Sequence, residues 1–165
     1  MSETFKQSLI QEYTKAWVTA MQESLGDGVL VTDGPPPAAY LQMGNVVWVG
    51  EASGQQNTVG LSPSPETAAA PKAETFNLQC IISIFGPTTP SATNTHSLQA
   101  DTAFGILETI GAKLREDPTL GLSPSANGGY VMYSQIGSGI RVRKGGSDNA
   151  RETTLEFSIN GAGYI

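Results

Sequence analysis

The stretch from Glu74 to Gly86, with the sequence ETFNLQCIISIFG, has the clearest strand pattern in this chain. Apolar residues occupy every second position, at Phe76, Leu78, Cys80, Ile82 and Ile84. Because successive side chains of a strand point to opposite faces, this alternation places one apolar set on a single face of a sheet. We therefore expect this stretch to form a central strand.

Shorter strand patterns lie on both sides of it. Val29–Thr32 and Asn45–Gly50 precede it, and the run VVWV at 46–49 is typical of burial on both faces or of a subunit contact. Tyr130–Ile136 follows it and continues to Lys144 after a bend at Gly137-Ser138-Gly139. A last strand is predicted over Thr153–Asn160, where Leu155, Phe157 and Ile159 alternate with polar residues.

Two amphipathic helices complete the set of elements. Phe5–Leu25 has an apolar stripe at helical spacing, and Gly26 suits the residue just after a helix. A second stripe runs from Ala100 to Leu114 and ends at Asp117-Pro118. The order is α-β-β-β-α-β-β. We expect an α+β fold, with one mixed or antiparallel sheet and both helices on one face, in a single domain over residues 1–165.

Three loops stand out by their composition. Glu51–Ala73 is rich in Gly, Ser, Thr, Pro and Ala and has no periodic pattern, so it reads as a long extended loop. Gly34–Tyr40 begins with three prolines, and Gly145–Asn149 is expected to close a hairpin. Long loops in a small domain often carry binding surfaces.

Composition restricts the possible partners. The chain has 165 residues, a net charge of −6 and a pI near 4.6. This acidity argues against a protein that binds the phosphate backbone of nucleic acid. DNA could still pass along an acidic protein surface as cargo. Cys80 is the only cysteine, and no apolar run approaches the length needed to cross a membrane. The sequence indicates a protein of the reducing cytoplasm without a membrane partner.

No pattern typical of catalysis is present. His96 is the only histidine and is expected to be exposed ahead of the second helix. Ser138 lies between two glycines, but a nucleophile elbow needs glycines two positions away on each side. The carboxylates closest to element ends are expected to serve turns and caps, namely Asp27, Asp33, Glu51 and Asp101. We predict no enzyme, no cofactor and no metal site.

Interaction surfaces are the remaining candidates. The one concentration of cations is Arg141, Arg143, Lys144 and Arg151, which suits either a solvated hairpin end or a patch facing an acidic neighbour. Trp48 suits either the core or an interface. The candidate subunit or partner contacts are Pro35, Pro36, Pro37, Tyr40, Trp48, Pro63, Pro65, Arg141, Arg143, Lys144 and Arg151.

The order of these parts resembles the tail terminator, or tail completion, proteins of long-tailed bacteriophages with non-contractile tails. The likeness covers most of the chain, from the first helix through the Gly-Pro-rich stretch and Val46–Gly50 to the last hairpin. Its most specific piece is Leu114–Gly121, LREDPTLG, which is similar to a short pattern of that family.

This resemblance implies a structural virion protein of the tail or neck that assembles in the host cytoplasm. Such a protein forms a ring of six copies, caps the last ring of tail-tube protein, stops polymerisation and offers a docking face to the head connector. No catalytic residue is implied. The long loop 51–73 leaves open a head-completion or stopper protein of the neck. Two further alternatives are an unrelated cytosolic ligand-binding module and, last, a hydrolase built on His96 or paired carboxylates.

Overall fold

The computed structural model describes residues 9–41, 44–50, 58–61 by backbone alone, 73–87, 93–123, 129–147 and 150–165. In chain order the elements are α1 (Leu9–Leu25), β1 (Val29–Asp33), α2 (Ala38–Leu41), β2 (Asn45–Val49), β3 (Thr58–Leu61), β4 (Ala73–Pro87), α3 (Thr95–Glu116), β5 (Tyr130–Ile136), β6 (Arg141–Ser147) and β7 (Ala150–Tyr164).

β4 is the central strand that its alternation predicts. It pairs antiparallel with β7 over 15 consecutive residues, from Ala73 opposite Tyr164 to Pro87 opposite Ala150. Its even-numbered apolar residues are buried, and Leu78, Cys80 and Ile82 are wholly inaccessible to solvent. The two longest strands therefore form the middle of the sheet.

Each long strand is flanked on its other side by an interrupted strand. β2 and β3 follow one another along β4, pairing with Cys80–Ile84 and with Glu74–Asn77. β5 and β6 do the same along β7, opposite Ile159–Tyr164 and Ala150–Glu156. β1 pairs parallel with β2 and is the outermost strand on that side. The sheet thus has β1 at one end. At the other end β5 and β6 follow one another along β7.

The fold is α+β, with a mixed, curled sheet and few helices, as expected. The main core joins residues of α1 and α3 to the even-numbered face of β4 and to Leu155, Phe157 and Ile159 of β7. A small second cluster on the opposite face of the sheet contains Val46, Trp48 and Ile81, with Leu41 packed against it. The VVWV run is therefore buried on both faces, as its unbroken apolar character predicts.

The order of elements differs from the expectation in three places. α2 is a single turn after the prolines, too short to show a helical period, with the Tyr40 N–H donating to the Pro37 carbonyl at 2.9 Å. β3 lies in the stretch expected to be a loop, because backbone pairing to β4 defines it. The predicted strand is divided into β5 and β6 by the bend at 137–140. The four residues of this bend lie opposite only two residues of β7, Phe157 and Ser158, so regular pairing is interrupted there.

The last hairpin is longer than expected. β6 continues through Gly145 and Gly146 to Ser147, because backbone pairing to β7 needs no side chains. β7 also runs past Asn160, because glycine at 161 leaves room for the Phe76 ring. A Cβ added there would come within 2.3 Å of that ring. Glycines that read as loop positions thus lie within paired strands.

A buried carboxylate ties α1 to the sheet. Glu74, on β4, is wholly buried and accepts hydrogen bonds from the backbone N–H of Leu9 at 3.0 and 3.1 Å. Leu9 is the first described residue of α1, and the helix dipole favours negative charge at this end of the helix. At the other end Gly26 has φ +72°, the left-handed conformation expected of a residue that follows a helix. The predicted start of this helix, residues 5–8, lies outside the described residues.

Candidate functional site

The edge formed by β5 and β6 has the largest concentration of exposed apolar side chains in the described part of the chain. Met132 and Tyr133 of β5 are 52% and 45% exposed, and Ile140 and Val142 are 42% and 40% exposed. All seven residues of β6 are exposed, although the strand is fully paired to β7. Apolar groups that a free monomer leaves in water at a sheet edge are typical of a contact surface.

Three of the four predicted cations lie on this edge. Arg141, Arg143 and Lys144 are exposed on β6. Arg143 forms an ion pair with Glu156 of β7 at 3.4 Å. Glu156 is 9% exposed, so this pair is partly shielded from water. Arg141 and Lys144 belong to the same edge and keep their charges at the surface.

Arg151 does not join that group. Its guanidinium donates to the carbonyl oxygens of Ser147 and Ala150, at 3.1 Å for the latter. The side chain therefore closes its own hairpin. Arg151 was expected to join the other cations because it is close to them in sequence. Its side chain instead points to the hairpin loop, so it serves the hairpin and not the patch.

The proline-rich stretch lies at the opposite end of the sheet. Pro35, Pro37 and Tyr40 are exposed, whereas Pro36 is buried. The Gly34 N–H donates to the Val49 carbonyl at 2.6 Å, which holds the start of this stretch against β2. Tyr40 is 48% exposed and therefore remains a candidate contact at this end.

Of the remaining candidate contacts, Trp48 is buried and two prolines lie outside the described residues. Trp48 is 8% exposed and packs with Val46 and Ile81 on the sheet face away from the helices. Its buried indole N–H has no hydrogen-bond partner among the described residues. Pro63 and Pro65 lie outside the described residues, as does most of the loop 51–73 apart from β3.

His96 lies in the first turn of α3 and is half-buried rather than fully exposed. Its Nδ1 is 3.1 Å from the Thr153 hydroxyl, which donates to the Gln99 side-chain oxygen at 3.0 Å. The Gln99 amide donates to the Arg151 carbonyl at 2.8 Å. This network fastens the start of α3 to β7. Sequence reasoning missed it, because its members are more than fifty residues apart.

A cleft of about 520 Å³ opens beside that network. Ile84, Phe85 and Leu98 line it together with a majority of polar or glycine residues, including Asn45, Asn94 and Thr102. A smaller cleft of about 220 Å³ lies between α3 and β5.

The residues of the catalytic alternatives lie in different parts of the fold or outside the described residues. Asp27 is exposed in the turn before β1, Asp33 at the end of β1, Asp101 on α3 and Ser138 in the bend before β6, and Glu51 is outside. Within the described ranges, no three His, Cys, Asp or Glu side chains come together in a way that could hold a metal ion. No helix among these residues is long and apolar enough to cross a membrane.

The motif Asp117–Gly121 forms the turn that ends α3. The Asp117 carboxylate accepts bonds from the Thr119 N–H at 3.1 Å, the Thr119 hydroxyl at 2.7 Å and the Gly121 N–H at 2.9 Å. Hydrogen bonding by the Thr119 side chain, with smaller contributions from backbone N–H groups, lowers the pKa of Asp117. Leu120 has φ +48° and turns its side chain into the core. The turn therefore has a clear structural role.

Comparison with known proteins gives little further information. No family model matches the chain, and no curated protein matches it. Among the solved structures that match, one is 13% identical over 95% of this chain and 96% of its own, with a TM-score of 0.34. A likeness of this size carries no information about function.

Proposed function

We propose that this chain is a structural virion protein, a tail terminator that forms a ring, caps the phage tail tube and offers a docking face to the head connector. The resemblance in the order of parts and in LREDPTLG motivates the proposal. The observation that carries it is the β5–β6 edge, where exposed apolar side chains and three cations lie on an otherwise acidic protein. A ring subunit needs such a surface for its neighbour.

The two ends of the sheet supply two different surfaces. A ring is built by heterologous contacts, in which one patch meets a different patch of the next copy. β1 and the β5–β6 edge lie at opposite ends of the sheet, which suits that arrangement. The loops remain available to tube and head, and DNA passes through as cargo. No catalytic group takes part in this function.

Tube assembly in the presence of the purified chain tests the proposal. We expect ring-shaped particles in electron micrographs, and tail-tube protein that polymerises to shorter tubes carrying extra density at one end. A chain that stays monomeric at every concentration and neither binds nor shortens tubes would contradict the proposal. Density on the portal side of a purified neck, and none on the tube, would favour the head-completion or stopper protein instead.

A further inference from the structure

The charges of this chain are divided between the two ends of its sheet. Between residues 16 and 71 the sequence has no lysine or arginine. The same stretch contains five acidic residues, namely Glu23, Asp27, Asp33, Glu51 and Glu66. Asp27 of this stretch lies just before β1 and Asp33 at its end, and β1 is the outermost strand at one end of the sheet. We call Asp27, Asp33, Leu30 and Tyr40 the acidic end.

The opposite end has the opposite charge. Residues 141–151 contain four of the nine lysines and arginines of the chain, and three of these are exposed on β6. We call Ile140, Arg141, Val142 and Lys144 the basic end. Four strand spacings of about 4.8 Å separate the outermost strands, so the two ends are on the order of 19 Å apart. Their charges therefore act as separate patches, because this distance exceeds the Debye length of about 8 Å.

Both ends also expose apolar side chains. Leu30 of β1 is 37% exposed and Tyr40 of α2 is 48% exposed, while Ile140 and Val142 are exposed to a similar degree at the basic end. The residues named at each end thus combine exposed apolar groups with exposed charges of one sign, which suits an interface with an apolar centre and a charged rim.

We infer that the acidic end of one copy contacts the basic end of the next, so that Asp27 and Asp33 face Arg141 and Lys144 across each subunit boundary. This inference rests on the proposed ring and specifies how its subunits meet. Opposite charges attract across this contact, whereas two basic ends or two acidic ends repel. A symmetric dimer through like ends is therefore disfavoured, and head-to-tail growth is favoured.

A second copy suits the basic end better than nucleic acid does. Outside residues 141–151 the chain has 14 carboxylates and five lysines or arginines, so the rest of the molecule repels phosphate. The same acidity makes a second copy of this chain an attractive partner for a small basic patch. The occupant is therefore another subunit.

Gln22 favours a contact formed by side chains over one formed by extension of the sheet. Its amide donates to the Val29 carbonyl at 3.1 Å, and its carbonyl accepts from the Val31 N–H at 3.1 Å. These are the outward-facing backbone groups that an incoming strand would need. The edge of β1 is thus partly occupied, and in this inference association depends on the charged and apolar side chains around it.

Paired charge reversal in the full-length chain tests the inference. One variant carries R141E and K144E, and the other carries D27K and D33K. Arg143 is left unchanged, because it pairs with the shielded Glu156. D101K with E116K, on α3, matches the charge change of the second variant away from both ends. Thermal unfolding checks that each variant folds, and sedimentation velocity at low ionic strength measures assembly with and without tail tubes.

We expect each reversal variant alone to associate about tenfold or more weakly than the wild type, and an equal mixture of the two to assemble again. The mixture restores opposite charges at every boundary of a ring with an even number of subunits. The α3 variant should assemble like the wild type, and added salt should weaken all assemblies.

Two results would overturn the pairing while leaving the proposed function intact. In the first, wild type and both reversal variants assemble equally well. In the second, the α3 variant is as disruptive as they are, or the mixture of reversal variants stays dissociated. A wild type that is monomeric both in solution and with tail tubes would instead overturn the proposed function itself. Loss of DNA binding by R141E/K144E, with assembly unchanged, would assign the basic end to nucleic acid and so refute the inference.

Discussion

Asp117 stabilises the end of α3 through its ionised carboxylate. Hydrogen bonds from Thr119 and Gly121 favour the charged form, so the pKa of this group is lower in the folded chain than in the unfolded chain. Its contribution to stability is complete above the unfolded pKa, about 3.9, and is lost as the pH falls through the lower folded value. The turn should therefore weaken in acid.

Replacing this carboxylate should have a measurable effect. We expect D117A to lower the free energy of unfolding by about 1–2 kcal/mol at neutral pH, because three hydrogen bonds are lost. D117N should lose less, because its single carbonyl oxygen still accepts from Thr119. Urea unfolding at several pH values measures both effects, and the difference between wild type and D117N should shrink as the pH falls below about 4.

D101N is the matched control for this experiment. It removes an exposed carboxylate from α3, the helix that this turn ends, and changes the net charge equally. Equal acid sensitivity of the D117N and wild-type chains would show that the turn does not depend on the ionised carboxylate.

Among the elements, β1 has an edge that is partly covered by a side chain. Gln22 provides one donor and one acceptor to Val29 and Val31, and a further bond from its amide reaches the Gly26 carbonyl at 3.0 Å. A short edge strand that is covered in this way is protected from pairing with another chain.

Q22A should expose that edge. We expect a loss of about 1–2 kcal/mol in the free energy of unfolding, from the missing hydrogen bonds, and a greater tendency to aggregate at high concentration. Differential scanning fluorimetry and light scattering measure the two effects. Q11A, an exposed glutamine on the same helix, is the control. A Q22A chain with unchanged stability and solubility would show that the edge needs no cover.

Most elements could be predicted because their patterns are local. The alternation in β4 and the helical stripes of α1 and α3 depend on residues a few positions apart, and burial follows those patterns. β3 could not be predicted, because it is defined by pairing with β4. The continuation of β6 through Gly145 and Gly146 was missed for a related reason, since composition indicated a loop while long-range pairing formed a strand.

The candidate contacts could be predicted in part. Arg141, Arg143 and Lys144 were recognised because their charge contrasts with an acidic chain, and they lie together on one strand. The roles of Arg151 and Trp48 depend on side-chain direction and on which sheet face is covered, which the sequence does not specify. The network of His96, Gln99 and Thr153 joins distant segments and leaves no local signal.

At the scale of the whole molecule, Cys80 is a probe of cooperative opening. It is wholly buried at the centre of the main core, and burial raises the pKa of its thiol. We expect a thiol reagent to label it only when the sheet separates, so the labelling rate should follow global unfolding as denaturant is added. Mass spectrometry measures that rate.

The control for this labelling experiment is a second thiol at a surface position. A Q11C variant has an exposed position on α1 and should react there at once, while Cys80 remains protected. Rapid labelling of Cys80 under native conditions would contradict the expectation and indicate that β4 opens locally.

The 15-residue ladder between β4 and β7 also has a mechanical consequence. A pull along the strand direction would load its hydrogen bonds in shear, because those bonds lie perpendicular to the strands, and many would have to break together. The flanking strands have four to seven residues each and could peel away one pair at a time. Under tension the β4–β7 pair would therefore resist deformation more than the flanking strands do. Neighbouring molecules attached to the flanking strands could shift while the β4–β7 pair kept its shape.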